Sequence, residues 1–276
     1  MKKEVFGLSD LQDVSSFFET KFGAWIGKKL IKWLEIEKVN QVHAAHCDLR
    51  GADFTTAILN DPLINVKYRV HHEDILDTLP EGAFLTISNH PIGSIDGIML
   101  IDIFARRRPD FKVMVNGILA KIGAMGDNFI SVQPDSKNLG ANMKNINGVR
   151  LSLAHLKEGH PMGFFPAGAI SMYNKDTKKI QDLPWTHSVI RLIKKSKLPV
   201  YPVYFDFLNS NFFYSLARID WRIRTLRIAA EAFNKQGREV DVYLGDPILP
   251  SEIQAFDDDT QLADFLYKRT YASKKS

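Results

Sequence analysis

The stretch Phe84 to Leu100, FLTISNHPIGSIDGIML, constrains the chain more than any other. Phe84 to Ile87 is a short apolar run of β-favouring residues and reads as a buried strand. Ser88-Asn89-His90-Pro91 stops it, because Pro91 cannot donate to a ladder but can open a helix with its fixed φ. Ile95 to Phe104 then resumes an apolar pattern of helical length. Strand, polar corner and helix in this order place His90 at the carboxyl end of a strand, where open α/β sheets keep their sites. Asp96, about a turn into the helix, is near enough to turn back and hold one imidazole nitrogen. A carboxylate in that role fixes the tautomer and stabilises the imidazolium, leaving the other nitrogen to take a proton. No serine or cysteine nucleophile stands out beside the pair, so the acceptor would come from a substrate. A His at a strand end is also common as a cap or a hydrogen-bonded loop residue, and spacing alone leaves that alternative open.

A second stretch, Met162 to Ser171, MGFFPAGAIS, repeats the theme. Met162 to Phe165 reads as a buried strand and is followed by a Pro-Ala-Gly corner of small residues. Small residues permit close backbone approach, and backbone N–H groups can steady the oxyanion of a tetrahedral intermediate. Gly168 is the expected contributor; a plain turn glycine is the other reading. Between the two stretches, Phe111 to Val115 and Phe129 to Val132 read as strands. Asn142 to Glu158 reads as a helix, with Ile146, Val149, Leu153 and Leu156 on one face and Gly159 as its stop. Trp185 to Lys195 is a further helix, and Val200 to Phe205 and Val240 to Leu244 are further strands. Strand and helix alternate, so an α/β fold is expected, with a mostly parallel or mixed central sheet flanked by helices.

Together the two stretches resemble the glycerolipid acyltransferase superfamily, whose first block is N-H followed by an Asp and whose third is F-P-x-G. Here these are Asn89, His90 and Asp96, and Phe165, Pro166 and Gly168. Gly126 to Val132 sits where that family has its second block, and Leu198 to Val203 looks like its fourth. Gly245-Asp246-Pro247-Ile248 is similar to its closing G-x-P-I. The usual first block is H-x4-D, whereas five residues separate His90 from Asp96. The usual third block is F-P-E-G-T-R, whereas this chain has Ala167 for the Glu and Ala169-Ile170-Ser171 in place of the rest. In phospholipid-making members that Glu and Arg are associated with a glycerol-phosphate acceptor. H-P-x-G-x-x-D-G, with Gly93 at its centre, and F-P-x-G-x-x-S, ending on Ser171, look more like the hemolysin-like branch. That branch includes the N-acyltransferases that make ornithine and glycine lipids.

The resemblance implies an acyltransferase that moves a fatty or 3-hydroxyfatty acyl group from an acyl-carrier-protein or coenzyme A thioester. The implied acceptor is the amine of a small amino acid, in membrane lipid biosynthesis. His90 and Asp96 would be catalytic, and Asn89, Gly93, Phe165, Pro166, Gly168 and Ser171 would hold the oxyanion and substrates. No metal or other cofactor is implied. The alternatives are a lysophospholipid O-acyltransferase and a non-catalytic membrane-binding protein.

At 276 residues the chain is long enough for one large core. The expected division is a helical section over 1–63, the α/β core over 64–250, and a charged, frayed tail over 251–276. Cys47 is the single cysteine, which excludes an internal disulfide and suits a reducing compartment. No window approaches 18 uninterrupted apolar residues, and the N-terminus has no apolar h-region, so a cytoplasmic protein is expected.

Residues 12–38 read as one amphipathic helix carrying Phe18, Phe22, Ile26, Leu30 and Trp33, with Lys21, Lys28, Lys29 and Lys32 on its other faces. Such a stripe either packs on its own domain or lies in a membrane interface, here the inner face with anionic lipid. The net charge of +4 permits that attraction. Arg218, Arg222, Arg224 and Arg227 are interleaved with Trp221, Ile223 and Leu226. This run reads as a solvated or salt-bridged helix face, or as a docking patch for anionic lipid or acyl carrier protein. Nucleic acid would need a recognised fold or aromatic platforms, and neither is seen. His46-Cys47-Asp48 and His71-His72-Glu73-Asp74 lack partners at zinc-like spacing, so no metal is expected.

Overall fold

The computed structural model describes residues 5–9, 12, 15–116, 123–132, 143–217, 224–225 and 227–274. Helices α1 (Lys21–Trp33), α2 (Ile36–His46) and α3 (Gly51–Asn60) precede strands β1 (Lys67–His71) and β2 (Leu85–Ser88). Helix α4 (Ile95–Ala105), strands β3 (Lys112–Asn116) and β4 (Phe129–Val132), helix α5 (Met143–Lys157) and strand β5 (Met162–Phe164) follow. A two-stranded hairpin, β6 (Met172–Asn174) and β7 (Lys179–Gln181), leads to helix α6 (His187–Ser196) and strand β8 (Val200–Asp206). Helices α7 (Asn211–Leu216) and α8 (Ile228–Phe233), strand β9 (Glu239–Leu244), and helices α9 (Pro250–Gln254) and α10 (Asp259–Ala272) follow among the described residues.

Among the described residues seven strands form one sheet in the order β1-β9-β8-β2-β5-β3-β4. From β8 to β4 every pair is parallel, while β9 is antiparallel to β8 and carries β1 parallel beside it. The α/β class with a mostly parallel sheet is thus as the alternating pattern indicated. Strand β2 lies between β8 and β5, and all its residues are buried, which explains its unbroken apolar reading. Its side chains take opposite faces in turn. On one face Phe84 packs with Met99, Leu100 and Phe104 of α4 and with Phe54 and Ile58 of α3. On the other, Leu85 and Ile87 pack with Ile190 and Ile193 of α6 and with Leu262 and Leu266 of α10. Burying each such side chain contributes about 1.5–3 kcal/mol, so both layers are well anchored. The carboxyl ends of β2, β5 and β8 therefore meet at one edge, on a frame held from both sides.

Two expectations need correction. The tail expected over 251–276 is not frayed over its described residues, 251–274, since α10 is a helix whose Leu262, Leu266 and Thr270 are wholly buried. These three positions recur every fourth residue, and the charged outer face masked the pattern. The N-terminal stripe is also not one helix. Thr20 caps a fresh start by accepting from the Gly23 N–H, and Glu35, at φ 58°, separates α1 from α2. The reading of residues 13 and 14 lies outside the described residues.

Candidate active site

Pro91 and Gly93 turn the chain from β2 into α4, and the turn brings His90 and Asp96 together. His90 Nδ1 lies 3.0 Å from Asp96 Oδ2. The same oxygen accepts the Ile92 N–H at 3.0 Å and the Gly93 N–H at 3.1 Å, while Oδ1 accepts the Gly97 N–H at 2.9 Å. The extra residue between His90 and Asp96 is absorbed by this turn. Gly93 permits it twice over. Its φ is +100°, and a Cβ there would fall 2.4 Å from Ile170 Cδ1.

Asp96 is fully buried and the His90 side chain is 17% exposed. Burial alone would raise the Asp96 pKa, but the His90 charge and hydrogen bond and the two N–H donors outweigh it and hold the carboxyl below its usual range. Burial alone would depress His90, but the Asp96 charge and hydrogen bond, with Asp182 behind them, raise it above the ordinary histidine value. An ionised Asp96 fixes the proton on Nδ1, which leaves Nε2 as the basic nitrogen. Nε2 has no hydrogen-bond partner among the described residues. The ring rests on Phe165, with centroids 4.2 Å apart.

The structure divides the other sequence-predicted residues. Asn89 is buried, and its amide faces the backbone of β8: Nδ2 donates to Phe205 O at 3.0 Å and Oδ1 accepts the Phe205 N–H at 2.7 Å. It extends the β2–β8 pairing past the last strand residue and steadies the corner that carries His90. Asn89→Ala would strand two backbone groups, each costing about 1–3 kcal/mol. We expect a clear fall in the denaturant midpoint, measured by circular dichroism, with the m-value unchanged.

Pro166 O accepts the Thr186 N–H at 2.9 Å and the Thr186 hydroxyl at 3.0 Å, which pins the second corner to α6. The Gly168 N–H, expected to face an oxyanion, instead donates to Phe165 O at 2.9 Å, closing a tight turn in which Gly168 has φ +65°. Among the described residues, the corner N–H groups without an acceptor are those of Ala167, Ala169 and Ile170. Ser171, expected to meet a head group, is 2% exposed. Its hydroxyl donates to Asp182 Oδ1 at 2.6 Å and its N–H to His90 O at 2.9 Å.

Asp182 was not legible in the sequence. It follows the hairpin in Gln181-Asp182-Leu183-Pro184, where an Asp reads only as a turn residue. Its buried carboxylate accepts the His90 N–H at 3.1 Å, the Ser171 hydroxyl, and Trp185 Nε1 at 3.3 Å. Burial pushes its pKa up against those three donors and the His90 charge. It thereby ties the His90 corner to the Phe165 corner.

A second brace comes from beyond β8. Asn209 Nδ2 donates to Pro91 O at 3.2 Å and to Ile92 O at 3.0 Å, and the Tyr214 hydroxyl donates to Pro91 O at 3.2 Å. Asn209 is held by buried Lys235, whose Nζ also donates to Glu231 O at 3.0 Å. Burial pulls the Lys235 pKa down to about 8 against the pull of Glu231 and Asp96.

The histidine clusters elsewhere are separately paired. His46 Nε2 lies 2.8 Å from Asp61 Oδ2, and His71 Nε2 lies 2.7 Å from Asp241 Oδ1. Among the described residues no group of three or more His, Cys, Asp or Glu could hold a metal ion. None of their helices is long and apolar enough to cross a membrane. Within the arginine run, Arg227 stacks on Trp33 with Cζ 4.9 Å from its ring; Arg218, Trp221, Arg222, Ile223 and Leu226 lie outside the described residues.

The model of a family described as acyltransferase matches residues 20–276. A lyso-glycine lipid O-acyltransferase of Bacteroides thetaiotaomicron is 29% identical over 209 residues, covering 73% of this chain and 72% of that protein. A lyso-glycine lipid O-acyltransferase of Phocaeicola vulgatus is 25% identical over 267 residues, covering 90% of this chain and 91% of that protein. The crystal structure of the 1-acyl-sn-glycerophosphate (LPA) acyltransferase PlsC from Thermotoga maritima has a TM-score of 0.50 at 12% identity, covering 89% of this chain and 94% of that one. That likeness is one of fold.

Proposed function

The chain belongs to the acyltransferase family, and from that premise we propose that it O-acylates a lyso-aminolipid, an N-acylated small amino acid of the glycine type with a free hydroxyl. The observation that carries this reading is the His90–Asp96 pair, with Nδ1 bound to a buried carboxylate and Nε2 free. An alcohol is a weak nucleophile until its proton is removed in the transition state, and an imidazole made more basic by its partner carboxylate suits that task. His90 Nε2 takes the hydroxyl proton as the oxygen attacks the thioester carbonyl. The C–O bond forms, the oxyanion is met by N–H groups of the Ala167–Ile170 corner, and collapse breaks the C–S bond. The proton on His90 then passes to the departing thiolate. The donor is an acyl-carrier-protein or coenzyme A thioester. The names of the relatives favour a hydroxyl acceptor over the amine expected from the sequence.

The lipid product gives a reason for membrane docking through the N-terminal helices, at the inner face of the membrane. Phe22 is 65% exposed and Trp25 52% exposed, with Lys29 Nζ 3.8 Å above the Trp25 ring. Phe17 and Trp33 continue the exposed aromatic surface.

The test is product analysis by mass spectrometry with an acyl thioester and one of three acceptors: N-(3-hydroxypalmitoyl)glycine, free glycine or lysophosphatidic acid. An ester on the first supports the proposal. An amide on glycine returns the acceptor to the amine, and phosphatidic acid means that a phosphate is accepted despite Ala167.

A further inference from the structure

Arg224 is 4% exposed, yet among the described residues its Nε and Nη1 have no hydrogen-bond partner. It was expected on a solvated or docking face, and it lies instead beside the site. Its Cζ is 5.7 Å from the Phe213 ring. Phe213 packs in one cluster with Ile170 and Tyr214, with Ile228 against it. Ile170 and Ile228 are the side chains that a Cβ on Gly93 would meet, and the Tyr214 hydroxyl holds Pro91 O. One apolar cluster therefore touches both Arg224 and the turn that carries His90 and Asp96. Burial also lowers the Arg224 pKa, with only Tyr214 opposing it.

Two buried guanidinium nitrogens without an acceptor are costly and call for an anion. From this placement we infer that Arg224 binds the carboxylate of the acceptor's amino-acid head group and so sets the enzyme's preference for an acidic aminolipid. The inference rests on the lyso-aminolipid reading above. Carboxylate fits better than phosphate on charge, since one guanidinium balances one carboxylate, whereas a phosphate dianion would leave charge unbalanced among Ile170, Phe213 and Ile228.

The experiment compares wild type, Arg224→Met and Arg224→Lys with N-(3-hydroxypalmitoyl)glycine and its carboxamide. Wild type should prefer the carboxylate. Arg224→Met should raise its KM by about 10- to 100-fold, as expected for losing a charge-assisted pair, and abolish the preference for it over the carboxamide. The donor KM should not change, and Arg224→Lys should fall between the two. Removing a buried charge with two unmet donors should leave the Tm unchanged or higher, and a lower Tm would mark Arg224 as structural instead. A retained preference for the carboxylate in Arg224→Met overturns the assignment. A rise confined to the donor KM overturns it too, in favour of a phosphate on the donor. Wild-type transfer to lysophosphatidic acid alone overturns the acceptor reading itself, and is distinguished because no variant is needed to see it.

Discussion

His90→Ala is expected to lower kcat for acyl transfer by on the order of 10²–10⁴-fold, the range that a positioned general base contributes. The ring is bound through Nδ1 to Asp96 and rests on Phe165, whereas its Nε2 bonds to none of the described residues. The frame around it stands without it. Asn89 is fixed on β8, and Asp96 keeps its bonds from Ile92, Gly93 and Gly97. The thermal transition should therefore move by only a few degrees while turnover collapses. Steady-state thiol release with a matched melting curve checks both halves. Turnover within a factor of three of wild type would remove His90 from the chemistry.

Asp96→Asn should cost on the order of 10²–10³-fold in kcat/KM and should also move the pH profile. The base must be neutral to act, so activity falls as pH drops through the His90 pKa. In the wild type that acidic limb lies above the ordinary histidine value of about 6.5, because Asp96 favours the imidazolium. Without the carboxylate, burial is left to dominate, and the limb should shift to lower pH. Stability runs the other way. A raised His90 pKa contributes stability that is full below the unfolded value and fades as pH rises through the folded one. The depressed Asp96 pKa contributes stability above the usual carboxylate range, lost as pH falls through its folded value. An acidic limb unmoved by Asp96→Asn would mean that another group controls the rate.

His90 and Asp96 could be found in the sequence because the device is local: a strand, a proline corner and a helix start lie within a few residues. The five parallel strands were legible because a strand buried on both faces reads as an apolar run. Asp182 and Asn209 were not, since each reaches the His90 corner across a long separation, 92 residues for Asp182 and 118 from Asn209 to Pro91. An Asp after a hairpin and an Asn after a strand look like turn residues until the fold brings them back. Gly168 misled in a different way. Its type and place matched the motif, but the positive φ that needs a glycine serves a turn that consumes its N–H. Arg224 was read with its arginine neighbours as a surface run, because period alone cannot separate a charge facing water from one facing an apolar wall.

The most direct test of base-assisted, direct transfer follows an isotopically labelled acyl thioester on the intact protein, with and without N-(3-hydroxypalmitoyl)glycine. Thiol release and whole-protein mass are read together from the first turnover. The account predicts that thiol release requires the acceptor, that the label appears in an ester on the acceptor, and that the protein mass stays constant throughout. A stoichiometric burst of thiol without acceptor, with the protein heavier by one acyl group, would contradict it.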